Sequence, residues 1–102
     1  MLSLIRRFTR QRPAGKPITV TLWGKADCCL CDRAQAILER LAREFPLHLE
    51  KRDILADPDV YEQFRFIIPV VEIEGGPRFE GKITEYWLRQ ALTRIAGERH
   101  HA

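Results

Sequence analysis

Apolar positions along this chain fall into two alternating rhythms. Ile18-Thr-Val-Thr-Leu-Trp23 places large apolar side chains at every second position with β-branched residues between them, the period of a half-buried strand. From Leu30 the rhythm lengthens. Leu30, Ala34, Ile37, Leu38, Leu41 and Phe45 recur at helical spacing, with Arg33, Glu39, Arg40 and Arg43 on the other face. This predicts a helix from Leu30 to Arg43, ended by Pro46. Leu47 to Ile54 opens with alternation again and reads as a second strand. A strand–helix–strand of this length favours a parallel pair joined by a right-handed crossover.

The second half follows the same logic. Asp57 as N-cap and Pro58 at the first helical position open a short helix reaching about Phe66. Val70 to Ile73 is a third strand, Glu74-Gly-Gly-Pro77 a hairpin turn, and Arg78 to Glu80 a short fourth strand. Gly81 breaks the pattern and Thr84 suits the cap of a last helix, in which Trp87, Leu88, Ala91, Leu92 and Ile95 form the buried face. Glu98 to Ala102 is a polar end. The order βαβ-α-ββ-α predicts an α/β (α+β) fold: one four-stranded mixed sheet flanked by three helices. No internal repeat is present.

At 102 residues the chain holds one domain, expected over residues 18–96 between a basic arm and linker at 1–17 and a polar tail at 97–102. The net charge of +3 is unevenly placed: residues 1–16 carry Arg6, Arg7, Arg10, Arg12 and Lys16 and no acid, so the remainder is net acidic. The basic character belongs to the arm, which argues against a nucleic-acid-binding domain. Leu2, Ile5 and Phe8 among those arginines have the form of a short amphipathic segment, the kind that contacts membrane surfaces, although a loosely docked arm is the plainer reading. No apolar run approaches the ~18 residues of a membrane span, and the N-terminus lacks the order of a signal peptide. Three cysteines are too few and too local for a secreted disulfide framework, which points to a reducing cytoplasm.

Gly24 to Asp27 reads as the turn after the first strand, and those cysteines, Cys28, Cys29 and Cys31, all lie where it gives way to the first helix. A Cys-x-x-Cys at such a junction is a redox signature. The first turn of a helix offers free N–H groups and the positive end of the macrodipole, and a thiolate is the anion they favour. Its pKa can fall from about 8.5 to roughly 3.5–7.5 in such a position. Cys28 is expected to be that sulfur, with Cys31 one turn along on the same side, close enough to close a disulfide ring. Bonding between the adjacent Cys28 and Cys29 is sterically poor. Cys29 reads as a small space-filling side chain, or alternatively as a competing thiol. Asp27 either opposes the thiolate by like charge or caps the helix.

The run Leu22-Trp-Gly-Lys-Ala-Asp-Cys28-Cys-Leu-Cys31-Asp-Arg-Ala34 resembles the active-site segment of glutaredoxin-like proteins of the thioredoxin superfamily, in particular a small bacterial branch whose Cys-x-Leu-Cys is followed by an acid. Arg52-Asp-Ile54, the helix at 58–66, Ile68-Pro-Val-Val71 and Gly81 fall in register with that family, so the resemblance covers about residues 18–95. It implies a thioredoxin/glutaredoxin fold and a thiol–disulfide oxidoreductase, with Cys28 attacking and Cys31 resolving the mixed disulfide. It implies that Lys25 helps to hold the thiolate and a substrate carboxylate. It also implies that Pro69 is cis and packs against the cysteines, making Ile68, Pro69 and Val70 a substrate-binding segment in which Val70 keeps free backbone groups for an extended client. The chain departs from glutathione-using members: Cys29-Leu30 replaces their Pro-Tyr or Gly-Tyr, and Gly81 is followed by Lys82, Ile83, Thr84 and Glu85 rather than by a second glycine and an acidic pair. Thr84 and the N–H groups of the last helix still suit a carboxylate.

The expected partners are therefore protein or small-molecule disulfides, with glutathione or a thioredoxin-reductase-type donor supplying electrons, no bound cofactor, no nucleic acid, and a monomer acting in the cytoplasm. Two other functions compete. Three nearby thiols are soft metal ligands, so an iron–sulfur or metal carrier is one, but zinc and iron–sulfur clusters call for four ligands. His100 and His101 lie on the polar end and His48 on the second strand, facing solvent, so no metal site is expected. The other is a non-catalytic partner-binding domain that keeps the fold with incidental thiols.

Overall fold

The structure, a computed structural model, describes residues 15–101; the basic amphipathic segment read from the sequence lies outside the described residues. Strand β1 (Ile18–Gly24) is central. On one side it pairs in parallel with β2 (Leu47–Asp53), from Ile18 opposite Leu47 to Gly24 opposite Asp53. On the other it pairs antiparallel with β3 (Val70–Ile73), which in turn pairs antiparallel with β4 (Arg78–Glu80). The sheet order is β2-β1-β3-β4, mixed as expected. Helix α1 (Cys29–Leu41) joins the parallel pair, α2 (Pro58–Phe64) precedes β3, and α3 (Glu85–His101) closes the chain.

Alternation along β1 sorts its side chains to two faces. Ile18, Val20 and Leu22 are buried together with Val71 and Ile73 under α1 and α3, which contribute Ala34, Leu38, Leu41, Leu88, Ala91, Leu92 and Ile95. On the opposite face a smaller cluster forms under α2 from Ile54, Phe64 and Val70, with Trp23, Val60, Tyr61, Ile67 and Ile68 partly buried around it. Asp57 caps α2 through its carboxylate, which accepts the N–H groups of Asp59 (2.9 Å) and Val60 (3.4 Å), with Pro58 in the first turn as expected. Among the described residues no helix is long and apolar enough to cross a membrane.

Three sequence expectations shift. The inward row of α1 is Cys31, Ala34, Leu38 and Leu41, so Leu30 falls at its margin and is 39% exposed. Trp87 leaves the buried face of α3: it is 59% exposed and stacks edge-on with Tyr86 at 5.2 Å. The reason is the outer strand. β4 has three residues and, among the described residues, no neighbour beyond it and no cover over Trp87 where it borders Pro77 and Phe79. Helix α3 also continues through Glu98 to His101, the stretch read as a polar end, and Arg99 donates to the Pro17 carbonyl (2.9 Å) and to Glu74 (3.2 Å).

Candidate functional site

β1 ends at Gly24, and the chain must then reverse into α1. Lys25 and Ala26 are exposed, and Asp27 makes the turn with φ +60°, a left-handed conformation that Asp tolerates better than most residues. Asp27 therefore shapes the approach to the helix and is not its cap. The N-cap is Cys28 itself, in extended conformation (φ −115°, ψ 105°), and its Sγ accepts the Cys31 N–H at 3.2 Å. A cysteine sulfur thus occupies the place usually taken by a Ser or Asp oxygen, facing the unpaired donors of the first turn.

Cys28 and Cys31 are joined in a disulfide with their Cα atoms 5.2 Å apart, within the usual span for such a bond. The two sulfurs are not equivalent. Cys28 is half-buried at the protein surface, whereas Cys31 is 5% exposed and heads the inward row of α1. Cys29 is free and exposed, so the space-filling reading of its side chain does not hold. It opens the helix two residues before the inward row begins at Cys31 and lies off that row.

The Ile68–Pro69 peptide bond is cis, as the sequence resemblance implies. Register places this segment at the same end of the sheet as the cysteines: Val70 lies opposite Trp23, the residue before Gly24, and Gly24 abuts Cys31. Pro69 and Val70 are buried and Ile68 is partly buried. The expectation for Val70 is corrected here, because it sits in register with both Trp23 on β1 and Glu80 on β4. The open backbone belongs to Ile68. The carbonyls of Ile67 and Pro69 both accept from the Gly81 N–H (2.9 and 2.8 Å), while Ile68 between them makes no backbone hydrogen bond among the described residues. The cause is that β1 has already turned away at Gly24, leaving no strand opposite the next row.

Thr84 follows three residues after Gly81 and caps α3: its hydroxyl accepts from the Trp87 N–H at 3.4 Å and its carbonyl from Leu88 at 3.3 Å. Lys25 borders a cleft of about 330 Å³ beside the cysteine loop, with Lys51, Arg52, Asp32 and Asp53 around it. Lys51 and Arg52 are contributions that sequence reading missed; the parallel register that sets Asp53 against Gly24 brings them there. Among the described residues no three His, Cys, Asp or Glu side chains are grouped to hold a metal ion.

Gly24 is the other residue the sequence understated. Read as part of a turn, it is the last residue of β1 and is buried. It continues the row Ile18, Val20, Leu22 toward α1, and at this place the helix comes close enough that no side chain fits.

The family model of the glutaredoxin-like domain (DUF836) matches residues 19–93, a span that contains every site residue from Gly24 to Thr84. No curated protein matches the chain.

Proposed function

The chain belongs to the glutaredoxin-like domain family (DUF836), and on that premise we propose that it is a thiol–disulfide oxidoreductase working through Cys28 and Cys31. The observation that carries this reading is the unequal access of two bonded sulfurs: one at the surface on a helix N-terminus, the other sealed beneath it. Negative charge on the Cys28 sulfur is favoured by the Cys31 N–H and by the helix dipole. In the dithiol form the Cys28 thiolate attacks a client disulfide. One client sulfur leaves as a thiolate, and Cys28 becomes the mixed disulfide. Cys31 then loses its proton and attacks the Cys28 sulfur, which releases the second client thiol and leaves the Cys28–Cys31 disulfide. Two thiols of a donor such as glutathione, or a reductase dithiol, reduce that bond again.

The surrounding residues take matching roles. The free N–H and C=O of Ile68 pair with an extended client beside Pro69, as in strand addition, and Val70 anchors this segment in the sheet. Lys25, with Lys51 and Arg52, suits a client or glutathione carboxylate, and Thr84 fixes the start of the helix at the other flank. The test is disulfide reduction by the wild type and by Cys28→Ser and Cys31→Ser. Cys28→Ser abolishes turnover, while Cys31→Ser accumulates a mixed disulfide on Cys28. Equal activity in all three, or trapping on Cys29, would overturn the assignment.

A further inference from the structure

β1 finishes on a glycine whose backbone is unremarkable. Gly24 pairs with Asp53 in an ordinary parallel ladder, and unlike Gly75 and Gly81 it has no positive φ. The conformation would admit any residue, so the reason for a glycine lies in its surroundings. A methyl carbon placed there would lie 2.9 Å from Cys31 Sγ and 3.1 Å from Cys31 Cβ, well inside the contact distance of about 3.5–4.0 Å. The helix cannot easily back away, because Cys31 is 5% exposed and the next inward residue, Ala34, is 1% exposed, so relief has to come from the sulfur itself.

We infer that Gly24 is a positioning residue that sets the balance between the disulfide and dithiol forms of the Cys28–Cys31 pair, an inference that rests on the redox function proposed above. The argument concerns how much freedom the Cys31 sulfur has in each form. In the disulfide the sulfur is tied to Cys28, and its position against Gly24 is imposed. In the dithiol it turns about its own Cα–Cβ bond and moves off an added methyl. The contact with Cys31 Cβ is common to both forms and costs both alike; the contact with Sγ falls on the disulfide. A side chain at position 24 therefore favours reduction, and its absence lets the oxidised pair close without displacing α1 from the sheet.

The experiment equilibrates wild type and Gly24→Ala with mixtures of glutathione and glutathione disulfide. Two glutathione thiols reduce the protein disulfide to two thiols and leave as one glutathione disulfide. The dithiol and disulfide fractions are read by mass after thiol alkylation. A wild type that shows no reversible two-thiol transition refutes the proposed function itself. Given that transition, Gly24→Ala is expected to shift the equilibrium toward the dithiol by about tenfold, equivalent to about 30 mV for a two-electron couple. An unchanged equilibrium, or a shift toward the disulfide, overturns the role of Gly24. Thermal melts keep the inference testable if Gly24→Ala folds poorly. Adding Cys31→Ala should recover part of the lost stability, because the Sγ contact disappears, and no recovery counts against the inference. Gly97→Ala, where an added carbon meets nothing within 4 Å, is the control expected to leave the equilibrium unchanged.

Discussion

The two faces of the sheet are built differently. Under α1 and α3 the side chains of β1 and β3 that face the helices are apolar and sealed: Ile18, Val20 and Val71 are fully buried, and so is Leu92 of α3 that packs on them. Under α2 only Ile54, Phe64 and Val70 are buried, and the rest of the contact is half-open and tied by polar links. Trp23 donates its indole N–H to Glu72 at 2.8 Å, packs edge-on against Phe64 at 5.7 Å, and lies beneath the Arg52 guanidinium at 5.8 Å. Arg78 bridges Glu80 at 3.0 Å. The redox pair and its neighbouring proline divide between these halves. Cys31 heads the row that packs on the thick face, whereas Ile67 and Ile68 pack on the thin one. The sulfur that must hold its place is mounted on the densely packed half. The segment proposed to receive clients is mounted on the half with less apolar mass, where local opening is easier.

This contrast can be broken by mutation. The largest effect is expected from Leu92→Ala on the thick face, a fully buried side chain whose loss costs about 2–5 kcal/mol in a denaturant melt. Trp23→Phe on the thin face keeps the ring stacking and removes the hydrogen bond to Glu72, for about 1 kcal/mol. Amide exchange should sharpen the point: Trp23→Phe accelerates exchange at Ile67 and Ile68 and leaves Leu88 and Leu92 as they were. Equal acceleration on both sides would show that the two halves open as one unit.

The smallest effect concerns the rim that ties α1 to α3. Arg40 hydrogen-bonds Glu85 (2.9 Å), and Arg89 bridges Glu85 (2.8 Å) and Glu44. The hydrogen bond from Arg89 holds the Glu44 carboxyl below its ordinary 4.5, and those from Arg40 and then Arg89 do the same for Glu85. A lowered folded-state pKa means that this contribution is complete above the ordinary carboxylate value and is lost as pH falls through the lowered values. Arg89→Met should therefore reduce the melting temperature slightly at pH 7 and flatten its further decline below about pH 4.5. These groups are solvent-exposed, so the whole effect is small and shrinks with added salt.

Much of this was legible from residue order. Val70–Ile73 and Arg78–Glu80 emerge with the boundaries read from their alternation and from the Gly-Gly-Pro turn, because short strands between strong breakers leave little latitude. The Asp57-Pro58 cap was legible for the same reason, since it depends on local chemistry, whereas the cis bond at Pro69 was legible only through the family resemblance. What escaped depends on tertiary approach. Whether Trp87 is covered depends on how far β4 extends, and periodicity within α3 carries no information on that. Gly24 looked like a turn because the reason for it, the Cys31 side chain, is supplied by another element. An isolated glycine closing a run of Ile, Val and Leu on one face was the available signal. Ile68 was eclipsed by Val70 because only the register shows where β1 stops offering partners.

Arg99, near the end of α3, fastens both the Pro17 carbonyl that leads into β1 and the Glu74 carboxylate at the hairpin. Since β1 runs from that pole to the cysteine loop, the first and last turns of the described chain meet at the pole farthest from the sulfurs. Both ends of the described chain therefore stand at the rear of the molecule, and the dithiol is its opposite front.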